Sequence, residues 1–230
     1  MKKYAVFLVN VVILSSLLEC PTILAEDLDS ADAVSFEADS DPTLPVDPID
    51  PTIPVEPVEP TQPGTAGPLS IDFASHFQFG AQKIVTTTKT YYALLQKFKD
   101  GSEGPNYVQV TDKRGVQEGW TLSVTQGGQF KTQENETLNG ATLSFVNAAM
   151  ASTMADAYQP TAVTEYIFIP NQEKIVMNAS VGRGMGTWIY KFGKDNTEGQ
   201  TAIRLSVPGQ SVKLAKKYLT TLTWSIKAVP

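Results

Sequence analysis

Eight prolines recur at every third position from Pro42 to Pro63, and no other feature of the 230-residue chain limits its fold so severely. Proline fixes φ, has no amide hydrogen and is excluded from helix interiors and central strands. A period of three matches the turn of polyproline II, which stacks such rings along one edge of an extended left-handed helix. In that form the stretch from Pro42 to Pro63 would span about 68 Å. Charge points the same way. Residues 26–68 hold eleven Asp or Glu and no Lys or Arg, so Asp47, Asp50, Glu56 and Glu59 should repel one another. Residues 26–41, acidic and rich in Ala and Ser, have a disordered composition. Gly64-Thr-Ala-Gly67-Pro68 supplies a hinge. Residues 26–68 thus read as an acidic, Pro-rich, disordered linker, a stiff spacer in front of a separate domain.

The first 25 residues have another character. Lys2 and Lys3 precede an apolar run from Tyr4 to Leu18, and Ile23-Leu24-Ala25 offers a cleavage site before Glu26. Fifteen helical residues reach only about 22 Å, short of the roughly 30 Å core of a bilayer. Residues 1–25 are therefore expected to be a signal peptide, with no membrane segment left after cleavage. Glu19 beside Cys20 argues against lipidation. The C-terminal Lys227-Ala-Val-Pro230 lacks a Leu-Pro-x-Thr-Gly sorting sequence, so surface retention is expected to be non-covalent.

From Leu69 onward sixteen Lys or Arg outweigh twelve Asp or Glu, and the pattern becomes strand-like. Trp120, Leu122 and Val124 alternate with Thr121, Ser123 and Thr125. The same period of two runs through Leu143 and Phe145, through Trp188, Tyr190 and Phe192, and through Ile203, Leu205 and Val207. It returns in Leu222, Trp224, Ile226 and Ala228. Tyr166 to Ile169 is apolar on both faces and predicts a central strand. Gln82 to Lys99 leaves a short helix around Tyr92 to Phe98 open, and Lys194 to Gly199 reads as a turn. The expected fold is all-β, an antiparallel sandwich of Greek-key type over residues 69–230.

Catalytic chemistry is hard to find in this chain. A single Cys and a single His exclude a disulfide framework and a Cys/His metal cage. His76 has no nucleophile context and reads as structural or solvent-facing. Gly182-Arg-Gly184-Met-Gly186 is followed by a strand, not a helix, so it reads as a turn and not a nucleotide loop. Asp72, Asp112, Glu118, Glu165 and Glu173 are scattered without glycosidase or calcium-loop spacing. No enzyme, metal, cofactor or nucleic-acid partner is expected.

Gly119-Trp120-Thr121-Leu122-Ser-Val124 and Tyr218-Leu-Thr-Thr-Leu222-Thr-Trp224-Ser225-Ile226 together resemble the paired motifs of WxL-domain surface proteins of low-GC Gram-positive bacteria. Leu69 to Gly80, Val108 to Gly115 and Val207-Pro208-Gly209 fit the same pattern. The second motif departs by reading Trp-Ser-Ile, an apolar exchange of similar volume. The resemblance implies a secreted protein on the cell wall, bound non-covalently to peptidoglycan without a cofactor, beside other surface proteins.

Two modes of binding follow. Exposed Trp and Tyr faces could stack on sugar rings, or Lys213, Lys216, Lys217 and Lys227 could attract anionic wall polymers. Trp120 and Trp224 lie on the apolar side of their strands, so packing is the default expectation for both. Residues 69–230 should then bind the wall without the linker. A reading of another class makes the chain an adhesin or complex subunit whose main ligand is a neighbouring surface protein or a host matrix protein.

Overall fold

The computed structural model describes residues 27–60 and 62–229, so the signal-peptide expectation and Cys20 lie outside the described residues. Asp27 to Ser35 are exposed and carry no regular secondary structure. The regular structure of the other described residues is strand, apart from one 3-10 turn and one short helix.

In chain order the strands are β1 (Leu69–Ala74), β2 (Lys89–Tyr92), β3 (Gln96–Lys97), β4 (Glu103–Gly104) and β5 (Tyr107–Asp112). Then come β6 (Gly119–Gln126), β7 (Thr142–Phe145), β8 (Ala148–Ala151), β9 (Thr161–Ala162) and β10 (Tyr166–Ile167). β11 (Glu173–Ala179), β12 (Gly186–Phe192), helix α1 (Asn196–Ala202), β13 (Ile203–Val207) and β14 (Leu222–Val229) complete the chain. Three four-stranded sheets run in the orders β1-β5-β12-β8, β10-β7-β13-β2 and β14-β6-β11-β9, with β3-β4 as a small ribbon. Every pairing is antiparallel. The all-β sandwich expected from the period-two pattern is the fold found. The first and third sheets approach at both margins, β1 beside β14 and β8 beside β9, which shields strand edges that would otherwise be open.

All three sheets share one core. Val108, Val110, Trp188, Tyr190 and Phe192 come from the first sheet, Leu143, Phe145, Ile203 and Leu205 from the second, and Trp120, Leu122, Val124 and Met177 from the third. Phe145 is fully buried and stacks edge-on or tilted against Tyr166, Phe168, Tyr190 and Phe192 at 5.0–6.2 Å.

The expected free linker is not found over residues 39–59. Residues from Asp39 to Glu59 lie against the first sheet instead of running free. β5 is buried along its whole length although Gln109, Thr111 and Asp112 are polar. Its outer face, with Phe73 and Ile189, packs with Phe98 into a second cluster that Val46 and Val55 cover. Gln109 is the clamp. Its Oε1 accepts from the Val46 amide at 2.9 Å, and its Nε2 donates to the Leu44 carbonyl and to Asp72, each at 3.0 Å. A bulge between Ile71 and Phe73 brings Asp72 to this face, where Ser70, Thr111 and Gln109 all donate to it. Burial still pushes the Asp72 carboxyl above its ordinary range.

The acids that should have kept the prolines apart form turns instead. Asp47 Oδ1 accepts from the amides of Ile49 and Asp50 at 2.7 and 2.9 Å, and Asp50 caps Thr52. The chain folds back there, with Val55 donating to the Pro45 carbonyl at 3.0 Å. Farther on, Val58 and Lys99 exchange backbone bonds with Lys97 and Glu56, and Gln96 Nε2 reaches the Glu59 carbonyl at 2.7 Å. Lys113 pairs with Asp39 and Lys99 with Glu56. Mutual repulsion of these acids was the premise of the extended form; in the fold Asp47 and Asp50 are turned onto local amides and Glu56 onto Lys99.

Three smaller expectations also change. Tyr166–Ile169 is not a central strand: β10 is a two-residue edge piece, and Ile167 and Ile169 are exposed. No helix forms around Tyr92 to Phe98, which holds the end of β2 and all of β3. The helix is α1, where a turn was expected. Asp195 Oδ1 caps it by accepting from Glu198 N at 2.9 Å, and Glu198 reaches back to the Lys194 amide.

Candidate functional site

The two Trp motifs, about a hundred residues apart in the chain, are neighbours in space. β14 pairs with β6 in an unbroken antiparallel ladder of eight residues, with Trp224 opposite Val124, Ile226 opposite Leu122 and Ala228 opposite Trp120. Alternation sends Trp120, Leu122, Trp224 and Ile226 toward the main core, and Thr121 and Ser225 to the outer face. The second motif's Ile226 is half-buried across from Leu122, a place where either branched side chain fits.

Trp120 is fully buried. Its indole Nε1 donates to the Gly184 carbonyl at 3.1 Å, so its one polar atom is satisfied inside the protein. The seat is the glycine turn Gly182 to Gly186. Gly184 has φ +82°, and a Cβ there would stand 2.5 Å from Trp120 Nε1 and from Ala179 Cβ. The turn therefore closes over the indole, a role that the spacing of the glycines alone did not reveal. Trp224 is less enclosed. It is half-buried on the margin strand β14, packed against the core but not sealed by it.

A buried ion pair holds the connection leading into the first motif. Arg114 grips Asp112 through Nε at 3.0 Å and Nη2 at 2.8 Å, and also donates to the carbonyls of Glu118 and Gly119. The Asp112 side chain is 2 % exposed. Its carboxylate raises the Arg114 pKa further, so the guanidinium stays charged at any physiological pH. Removing one partner of a buried pair leaves the other uncompensated. Arg114→Ala is expected to cost roughly 3 kcal/mol, visible as a lower melting temperature. Arg114→Lys should recover only part, because an ammonium cannot bind both oxygens in a fork.

The four lysines do not form the free cationic patch that their sequence suggests. Lys213 Nζ is spent on the carbonyls of Pro208, Gly209 and Ser211. Lys216 pairs with Glu136 at 2.8 Å and Glu134 at 3.5 Å, and it holds the Glu136 carboxyl below its usual range with help from Thr132. Lys227 lies on the outer face of β14, 3.3 Å from Glu173, whose carboxyl is lowered first by the Ser123 hydroxyl and then by this lysine. Lys213 and Lys217 have no ion-pair partner among the described residues, and of the two only Lys213 has its ammonium hydrogen-bonded.

The outer face of the motif sheet is a polar array. Thr223, Thr125 and Glu173 make one cross-strand row, Ser225, Ser123 and Ile175 the next, and Lys227, Thr121 and Asn178 the third. His76 is exposed on the loop after β1. Among the described residues no cluster of three His, Cys, Asp or Glu side chains could hold a metal ion. No described helix is long and apolar enough to cross a membrane.

No curated protein and no solved structure matches the chain. The family described as WxL domain, surface cell wall-binding, matches residues 24–230, a span that takes in both motifs, the glycine turn and the proline-rich segment. By that match the chain belongs to the WxL-domain family and is a cell-surface protein that binds the cell wall.

Proposed function

We propose that the mature chain is exported and held non-covalently on peptidoglycan by its β-domain, without a catalytic step, and that the Trp motifs act by building the binding surface. The observation that carries this reading is the internal use of Trp120: a fully buried indole with its donor satisfied has no face to offer a sugar. Ion pairing of Lys216 and Lys227, with Lys213 turned onto backbone carbonyls, supports glycan over anionic wall polymer as the main ligand. Cells washed with concentrated chaotrope should release the intact mature protein. Purified protein should sediment with sacculi equally well before and after teichoic acid is stripped from them. Release only by a muralytic enzyme, with wall fragments attached, would refute non-covalent attachment. A folded protein that fails to sediment would favour a protein ligand instead.

A further inference from the structure

If the motif tryptophans build the fold, stacking on sugar must use another aromatic ring. The aromatic side chains exposed among the described residues are Phe36, Tyr92 and Tyr158. Phe36 sits in the acidic N-terminal stretch and Tyr158 in a 3-10 turn, and neither lines a cleft together with polar side chains as Tyr92 does. Tyr92 ends β2, the margin strand of the second sheet, and is 45 % exposed on a cleft of about 340 Å³ shared with Leu94, Leu95, Lys97, Glu103 and Gln200.

The cleft is held in shape from beneath. Leu94 donates its amide to the Gln78 carbonyl and accepts from the buried Asn106 Nδ2, both at 2.8 Å. Gly199 of α1 presses on Leu95 and Pro105 so closely that a Cβ would stand 3.0 Å from the Leu95 side chain. Above this floor Lys97 and Glu103 face each other at 3.6 Å across the β3–β4 ribbon, and Gln200 comes from the exposed side of α1. The cleft thus joins an open phenol ring and a leucine to an amide, an ammonium and a carboxylate, with no net charge. Its size is at the small end of ligand sites, enough for one or two sugar rings. A pyranose offers an apolar C–H face for the ring and hydroxyls for donors and acceptors at the rim. Among the lining residues the one ammonium and the one carboxylate balance, and the one cation paired across the sheet from Tyr92 is Arg204.

We propose that this cleft is a glycan subsite that stacks one N-acetylated hexosamine ring of the wall polymer on Tyr92, with the acetyl methyl against Leu94. The assignment rests on the wall-binding reading above and locates its contact away from the motif strands.

The test uses the mature chain, sacculi and the soluble N-acetylglucosamine–N-acetylmuramic acid disaccharide. Tyr92→Ala should bind both about tenfold more weakly, the loss of one aromatic contact, while melting as the parent does. Tyr92→Phe should keep nearly full binding. In the parent, disaccharide-induced NMR shifts should centre on residues 92–97 and Gln200. If the parent sediments and Tyr92→Ala sediments equally, the subsite is wrong and the wall reading stands. If the folded parent neither sediments nor takes the disaccharide, both fall. Should Tyr92→Ala unfold, Gln200→Ala, changed only on an exposed helix surface, decides: weaker binding at an unchanged melting temperature upholds the subsite, and unchanged binding overturns it.

Discussion

Trp120→Ala is expected to lower the melting temperature more than any other single motif substitution and to abolish wall binding along with the fold. The side chain is completely enclosed and fills the space between β6, β11 and the glycine turn. Cutting a buried Trp to Ala costs roughly 3–5 kcal/mol, against a total stability of about 5–15 kcal/mol for a domain. The Gly184 carbonyl also loses its donor. Trp120→Phe should restore part of the stability, because it keeps a ring but not the hydrogen bond. Gly184→Ala should imitate the loss from the other side, since it adds a Cβ where the indole sits and strains a positive φ. Trp224→Ala should be milder, at roughly 1–2 kcal/mol, because that ring is packed against the core but not sealed by it. Thermal unfolding beside sacculus sedimentation measures all four. A Trp120→Ala protein that kept its melting temperature but stopped sedimenting would make the indole a contact and overturn the packing assignment.

A chain beginning at Leu69 should fold poorly or melt far below one beginning at Phe36. The truncation strips the cover from Phe73, Tyr107, Phe98 and Ile189, and each such side chain returned to water costs about 1.5–3 kcal/mol when fully exposed. Gln109 would lose its bonds to Val46 and Leu44 in the same step. Gln109→Leu in the full chain is a narrower version of the experiment. It removes the acceptor for Val46 and the donor to Leu44 and Asp72, and orphaned buried groups cost about 1–3 kcal/mol each. Hydrogen exchange at the Val46 and Val55 amides would report release of the segment. If the shortened chain melts with the full one, residues 36–68 are only a spacer after all. If it unfolds, its failure to bind the wall says nothing about where the glycan contact lies, so the Tyr92 variants belong in the full chain.

Strand chemistry was written in the sequence wherever one face of a strand meets the core. The alternation in Trp120 to Thr125, in Leu143 to Phe145 and in Leu222 to Ala228 identified β6, β7 and β14, because side-chain direction has a period of two whatever the partner. The motifs were likewise legible, as was the inward aim of their apolar residues. Helix α1 could have been read from Asp195-Asn-Thr-Glu198, a capping pattern hidden by the glycine that follows.

What the sequence could not decide depended on partners far along the chain. The proline repeat gives the same local geometry whether it stands free or lies on a sheet. Only the fold brings Gln109 to Val46 and Leu44, some 63–65 residues away, and Lys113 and Lys99 to the acids of that segment. Lys216 and Lys227 looked like a patch because their glutamates lie 80 and 54 residues distant. Tyr92 gave no signal at all, since a cleft is made by the spacing of β2, the β3–β4 ribbon and α1, not by any of their residues alone. Periodicity is a local property and the sequence carries it whole; burial of a second face, neutralisation of a charge and the opening of a cleft are relations between segments, and only tertiary structure fixes them.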